Sequence, residues 1–159
     1  MTTETVSRTH FTASVAYLLT ETFAGSPEGQ GSAYLDRGVG LFDTLATVTA
    51  AQASTDFHGT TIAAQTEHAK FYLDRLCEFI GGRSEKVNWE DSWLIETVND
   101  NEWSALQTTV RRSYEETLQC IATQPFQEER QVGLAMGLIA HTAYHLGAIR
   151  QKVAVLRSA

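Results

Sequence analysis

The chain contains only two prolines, Pro27 and Pro125, and both fall between segments whose apolar residues recur with helical spacing. A proline inside a helix removes a backbone donor and collides with the preceding turn. None of the helix-patterned segments carries that defect, and no stretch reads as a strand bounded by turn residues. The sequence therefore predicts an all-α fold, organised as one domain over residues 1–159. With 43% hydrophobic residues, a chain of this length can bury a core without disulfides or a structural metal.

The first helix is expected over about residues 3–24, where Phe11, Val15, Leu18, Leu19 and Thr22 make one stripe. "GSPEGQGS" ends it. A short helix is expected over about 39–53. "GTTIAAQTEHAKFYLDRLCEFIGG" reads as a long helix, capped by Thr60 or Thr61 and stopped by Gly81 and Gly82. Ile62, Ala69, Tyr72, Leu73, Leu76 and Ile80 give its buried face. "RSEKVNWEDSWLIETV" is a connection anchored by Trp89 and Trp93, its acidic residues keeping it soluble, with a place at the border of a substrate pocket as the alternative. Asn99 caps the next helix, with Glu102 in the capping-box position and a stripe of Trp103, Leu106, Val110, Tyr114, Leu118 and Ile121. The last helix spans about 128–157, with Leu134, Leu138, Ile149, Val153 and Leu156 on one side. Together these segments predict a four-helix bundle with an extra short helix and long connections, in which a crossover is possible.

A formal net charge of -7 disfavours nucleic acid and anionic membranes, both of which need a basic face. No run is read as long and apolar enough to span a bilayer, and "MTTETVSRTH" lacks the features of a signal peptide. Cys77 and Cys120 are far apart in sequence and share no CxxC spacing. They read as small buried hydrophobes in a reducing cytoplasm, with nothing to support a disulfide. The expected location is cytoplasmic.

Within the last helix, "HTAYHLGAIRQ" places His141 and His145 four residues apart. At 100° per residue they lie about 40° apart, within the stripe of Leu134, Leu138 and Ile149, so both face the core. An i, i+4 pair of imidazoles on one helix can converge on one metal ion. A third ligand is required, and His68 is the best candidate, mid-helix on the side of Tyr72 and Phe79. If its helix runs antiparallel to the last one, His68 lies level with the pair. His10 falls off the apolar stripe, and His58 precedes a helix start. Spacing alone also fits hydrogen-bonded core histidines, and there is no HExxH motif, because residue 142 is Thr.

"GTTIAAQTEH", "NDNEWSALQTTVRRSYEETL" and "HTAYHLGAIRQ", in this order, resemble segments of the DinB/YfiT superfamily of metal-binding four-helix bundles. The matching stretches make up about a quarter of the chain, and the HxxxH run with its following Gly, Ile, Arg and Gln is the most specific. The resemblance implies that His68, His141 and His145 bind a divalent metal, zinc or nickel foremost, with solvent on the open positions. Characterised members of that family include thiol-S-transferases using bacillithiol or similar cofactors, and a mycothiol-dependent isomerase.

Two functional classes follow. One is a metal-dependent enzyme in which a thiol or a water is activated, a thiol transferase or a hydrolase acting on a small molecule. The other is a non-catalytic metal- or ligand-binding stress-response bundle. Among the remaining features, Arg150 points away from His141 and is expected to form a salt bridge. Tyr144 is expected to pack, and Glu67 is not read as a ligand. Gly133, Gly137, Ala140 and Ala148 form a small-residue strip expected to pack closely on another helix, with a homodimer interface as the alternative.

Overall fold

The computed structural model describes residues 5–29 and 31–158, and among them the secondary structure is helical throughout, with no strand. The described residues form six α-helices: α1 (Arg8–Ala24), α2 (Leu41–Ala46), α3 (Ala50–Ala53), α4 (Ile62–Ile80), α5 (Asp100–Thr123) and α6 (Glu129–Ser158). A 3-10 helix, Trp89–Trp93, lies between α4 and α5.

Local chemistry sets the ends. Ser7 accepts from His10 N–H and starts α1 several residues later than periodicity suggested; the expected residues 3 and 4 lie outside the described residues. Thr61 caps α4 by accepting from Ala64 N–H at 3.0 Å. Beyond α4, Gly82 takes φ 102°, and Arg83 N–H reaches back to the Glu78 carbonyl at 2.9 Å. Only glycine enters that left-handed conformation without strain. Asn99 and Glu102 form the capping box at α5.

The single helix expected over 39–53 is two short ones. Thr47 ends α2, and Thr49 opens α3 with its own capping box to Gln52. The carbonyl of Val48, freed by that break, accepts from the Trp103 indole at 2.8 Å. A tertiary partner thus outweighs continuation of the helix. At Gly40 the chain passes so close to the end of α1 that a Cβ would lie 2.5 Å from Gly25 N.

The four long helices pack with α5 and α6 each against both α1 and α4. Their directions follow from side-chain links. Gln65 meets His145, His68 meets His141, and Gln131 meets the Ile80 carbonyl, so α4 and α6 are antiparallel. Tyr114 meets Thr20 while Arg8 donates to the Ala122 and Gln124 carbonyls, so α1 and α5 are antiparallel. Phe126, just before α6, packs edge-on to Phe11 near the start of α1. Hence α1 and α6 run one way, and α4 and α5 run the other. Parallel neighbours cannot be joined by a tight turn, which is why the connection from 81 to 99 is long. The core is filled by Leu19, Phe23, Leu45, Leu73, Val110, Leu138 and Ile149.

Two sequence expectations are corrected on α6. By length and apolar composition it is sufficient to cross a membrane, contrary to the reading that no run qualifies; in this fold it packs on α1, α2 and α4. The small-residue strip packs closely only in part: a Cβ on Gly133 would touch nothing within 4 Å, whereas one on Gly137 would meet Leu76 of α4 at 3.6 Å.

Candidate metal centre

Antiparallel packing of α4 and α6 brings His68 level with His141 and His145. The Nε2 atom of His141 lies 3.1 Å from Nε2 of His68 and 3.1 Å from Nε2 of His145. All three ligand atoms fall within 4.8 Å of one another. Two nitrogens bound tetrahedrally at zinc distances would be about 3.3 Å apart, so the spacing is close to what an ion needs.

The outer nitrogens fix the tautomers. Ser92 spends its hydroxyl proton on the Trp89 carbonyl at 2.6 Å, so its oxygen accepts from Nδ1–H of His68 at 2.7 Å. Gln65 Oε1 accepts from Nδ1–H of His145 at 2.5 Å, while the Gln65 amide nitrogen donates to Thr60 Oγ1 at 3.2 Å. With their protons on Nδ1, His68 and His145 both aim Nε2 lone pairs inward. His141 can donate from Nε2 to only one of them, and its own Nδ1 is buried without a hydrogen-bond partner among the described residues. The cluster is short of donors. A cation would supply that deficit, and three imidazoles suit zinc or nickel better than calcium or magnesium.

Ring stacking fixes orientation. Trp93 lies on His68 with centroids 3.9 Å apart and planes 17° apart, and Tyr72 lies on His141 at 3.5 Å and 13°. His68 and His145 are 8% and 4% exposed. Burial holds the pKa of His68 below its ordinary value. Burial, then the neighbouring His68, brings His141 down to about 4; burial, then His141 and His68, brings His145 down to about 3. All three are neutral at pH 7, the form that ligates a metal.

Beside Trp93 opens a cleft of about 460 Å³, bounded also by Asp56, Thr60, Thr61, Ala64 and Glu96. Ala64 is one turn before His68 on α4, and Thr60 holds the Gln65 amide, so the cleft adjoins the histidine cluster.

The other histidines stand apart: His10 and His58 are exposed. Glu67 does not join the cluster. Tyr144 is 71% exposed, its ring edge-on to His145 at 5.0 Å, rather than packed in the core. Arg150 is exposed and makes no ion pair among the described residues, contrary to the expected salt bridge. The segment "NWEDSW" does more than keep a connection soluble, since Ser92 and Trp93 hold His68 directly. Gln65 and Tyr72 were not read as site residues, and Ser92 and Trp93 were read only as part of a loop that could border a substrate pocket. Gln65 could have been found from its i, i+3 spacing to His68 on one helix face; Ser92 carried no such signal. Comparison of the chain with protein-family models, with curated proteins and with solved structures finds no match in any of the three.

Proposed function

We propose that this chain is a divalent-metal enzyme of the DinB/YfiT type, a four-helix bundle in which His68, His141 and His145 hold one zinc or nickel ion. Its chemistry is transfer of a low-molecular-weight thiol to a small electrophile, in preference to hydrolysis. The observation that carries the metal reading is the convergence of three neutral Nε2 atoms with two of the Nδ1 protons already engaged by Ser92 and Gln65. The thiol reading rests on the sequence resemblance. When bound, such an ion acts as a Lewis acid that lowers the pKa of a ligated thiol or water.

The chain's own residues supply positioning. Ser92 and Gln65 keep the His68 and His145 lone pairs directed inward. Trp93 and Tyr72 fix the ring planes and cover one face each of His68 and His141. The cleft beside Trp93, walled by hydroxyls and the carboxylates of Asp56 and Glu96, offers room for a small polar molecule. A non-catalytic metal-holding bundle is the second reading, favoured by those same aromatic covers over two of the three ligands.

The test is metal stoichiometry of the untagged wild type, His141→Ala and His10→Ala under equal exposure, followed by a screen of metal-loaded protein with thiols and electrophiles. One ion per wild-type chain, kept by His10→Ala and lost by His141→Ala, supports the site. An empty wild type, or equal loss in both variants, refutes it. Thiol-dependent turnover supports the transferase, while ester or phosphate hydrolysis without a thiol rejects it. Metal binding without turnover favours the second reading.

A further inference from the structure

Cys77 and Cys120 stand 43 residues apart in sequence, yet the parallel course of α4 and α5 sets them side by side near the ends of the two helices. Cys120 Sγ donates to the Cys77 carbonyl at 3.8 Å, and Cys77 Sγ donates to Thr117 Oγ1 at 3.3 Å. Thr117 gives its own proton to the Ser113 carbonyl at 2.7 Å, so it is fixed as an acceptor for Cys77. Both are half-buried, and a surface cleft of about 300 Å³, bounded by Asp74, Glu78, Arg112 and Thr117, opens onto Cys77. Cys77 is nine residues beyond His68, about 13 Å along α4 from the histidine cluster.

We propose that Cys77 and Cys120 are a peroxide-responsive dithiol that closes to an intramolecular disulfide between α4 and α5, a modification site separate from the three histidines. The pair is asymmetric. The Cys77 proton is held at 3.3 Å by Thr117, whose oxygen is fixed as an acceptor, whereas Cys120 reaches the Cys77 carbonyl only at 3.8 Å. Cys120 therefore loses its proton first and is the attacking sulfur. Its thiolate attacks one oxygen of a hydroperoxide. An S–O bond forms, the O–O bond breaks, and the departing oxygen takes up the proton that Cys120 released. The Cys77 sulfur then attacks the sulfenic sulfur; the S–S bond forms, the S–O bond breaks, and hydroxide leaves as water with the Cys77 proton. Two thiols are oxidised by two electrons, and one hydrogen peroxide is reduced to two waters.

The experiment treats the reduced full chain, under native conditions, with hydrogen peroxide beside a glutathione control, and reads free thiols, intact mass and a non-reducing gel. The expected result is joint loss of both thiols, a mass lower by two hydrogens, a single-chain band, and reversal by dithiothreitol. Cys77→Ser should hold Cys120 as a sulfenic acid that dimedone traps, and Cys120→Ser should react about tenfold more slowly. Retention of both thiols after the glutathione is consumed overturns the proposal. So does uptake of oxygen without bridging in the wild type, or a bridge between chains. Equal rates in the two variants overturn the assignment of Cys120 as the attacking sulfur.

Discussion

Glu21 on α1 is fully buried, and its carboxylate receives the backbone N–H groups of Ala33 at 2.6 Å and Tyr34 at 3.1 Å. His68, His141 and His145 are also sunk between helices, but they turn three ring nitrogens toward one another. At Glu21 each acceptor has found a donor within the chain. Burial alone would raise the Glu21 pKa, but hydrogen bonds from Ala33, Tyr34, Tyr17 and Leu35 more than offset it and hold the carboxyl below its usual range. Glu21 is thus a closed structural device that ties the segment after α1 to the helix. The histidine cluster is open, with acceptors converging and too few donors. A buried polar group completed by the chain stabilises the fold, whereas one left short of a partner points to something the chain does not contain.

The sharpest way to break this comparison is to remove one member of each cluster. His145→Ala should weaken zinc binding by more than the roughly 10–100-fold that loss of an outer partner costs, while the helical circular dichroism spectrum persists. Isothermal titration checks it, and unchanged affinity would remove His145 from the site. Glu21→Ala should leave metal affinity unaltered but destabilise the fold by about 2–4 kcal/mol, because two backbone donors lose their acceptor. A denaturant melt in which this variant matches the wild type would show that the Glu21 contacts contribute nothing.

Acid should separate the clusters in a second way. The histidine pKa values are lowered in the fold, so the unfolded chain takes up protons first, near its reference value of about 6.5. Stability of the metal-free protein should fall as pH drops from there toward about 4 for His141 and about 3 for His145. The Glu21 contribution persists above the unfolded carboxyl value of about 4.3 and is lost only as pH falls through the lower folded value. Thermal melts across this range should show the histidine slope first, and His145→Gln should flatten it. Zinc should stabilise the protein at pH 7 and progressively less as pH falls. A flat profile between neutrality and pH 4 would contradict the burial of the three rings.

The smallest expected effect lies in the outer partners. Ser92→Ala should cost about 10–100-fold in metal affinity by releasing the His68 tautomer, with only about 1 kcal/mol lost from the fold. Titration of this variant against wild type decides whether the 3-10 helix belongs to the site or merely closes a connection.

Much of the helical pattern was legible in order along the chain. The Asn99–Glu102 box, the Thr61 cap and the Gly81–Gly82 stop are local devices, and the structure uses each of them. The break at Thr47–Thr49 was missed although Thr49 and Gln52 carry a local capping box; what favours it over one continuous helix is a hydrogen bond from Trp103, 55 residues from Val48. The His141–His145 pair could be read because four residues make just over one helical turn. His68 could be named as a candidate from its helix face, but its distance to the pair depends on the antiparallel meeting of α4 and α6. Ser92 and Trp93 lay beyond any periodicity argument.

By itself, then, the sequence determined which segments become helices, where most of them stop and which faces are apolar, since these follow from spacing and capping within a few residues. Tertiary structure alone decided that α4 runs parallel to α5 and antiparallel to α6. One pairing sets Cys77 beside Cys120; the other turns His68 toward His141 and His145. The physical reason is that a helix fixes neighbours three and four residues apart, whereas contacts 43 or 73 residues apart arise only when apolar faces choose partners across the core.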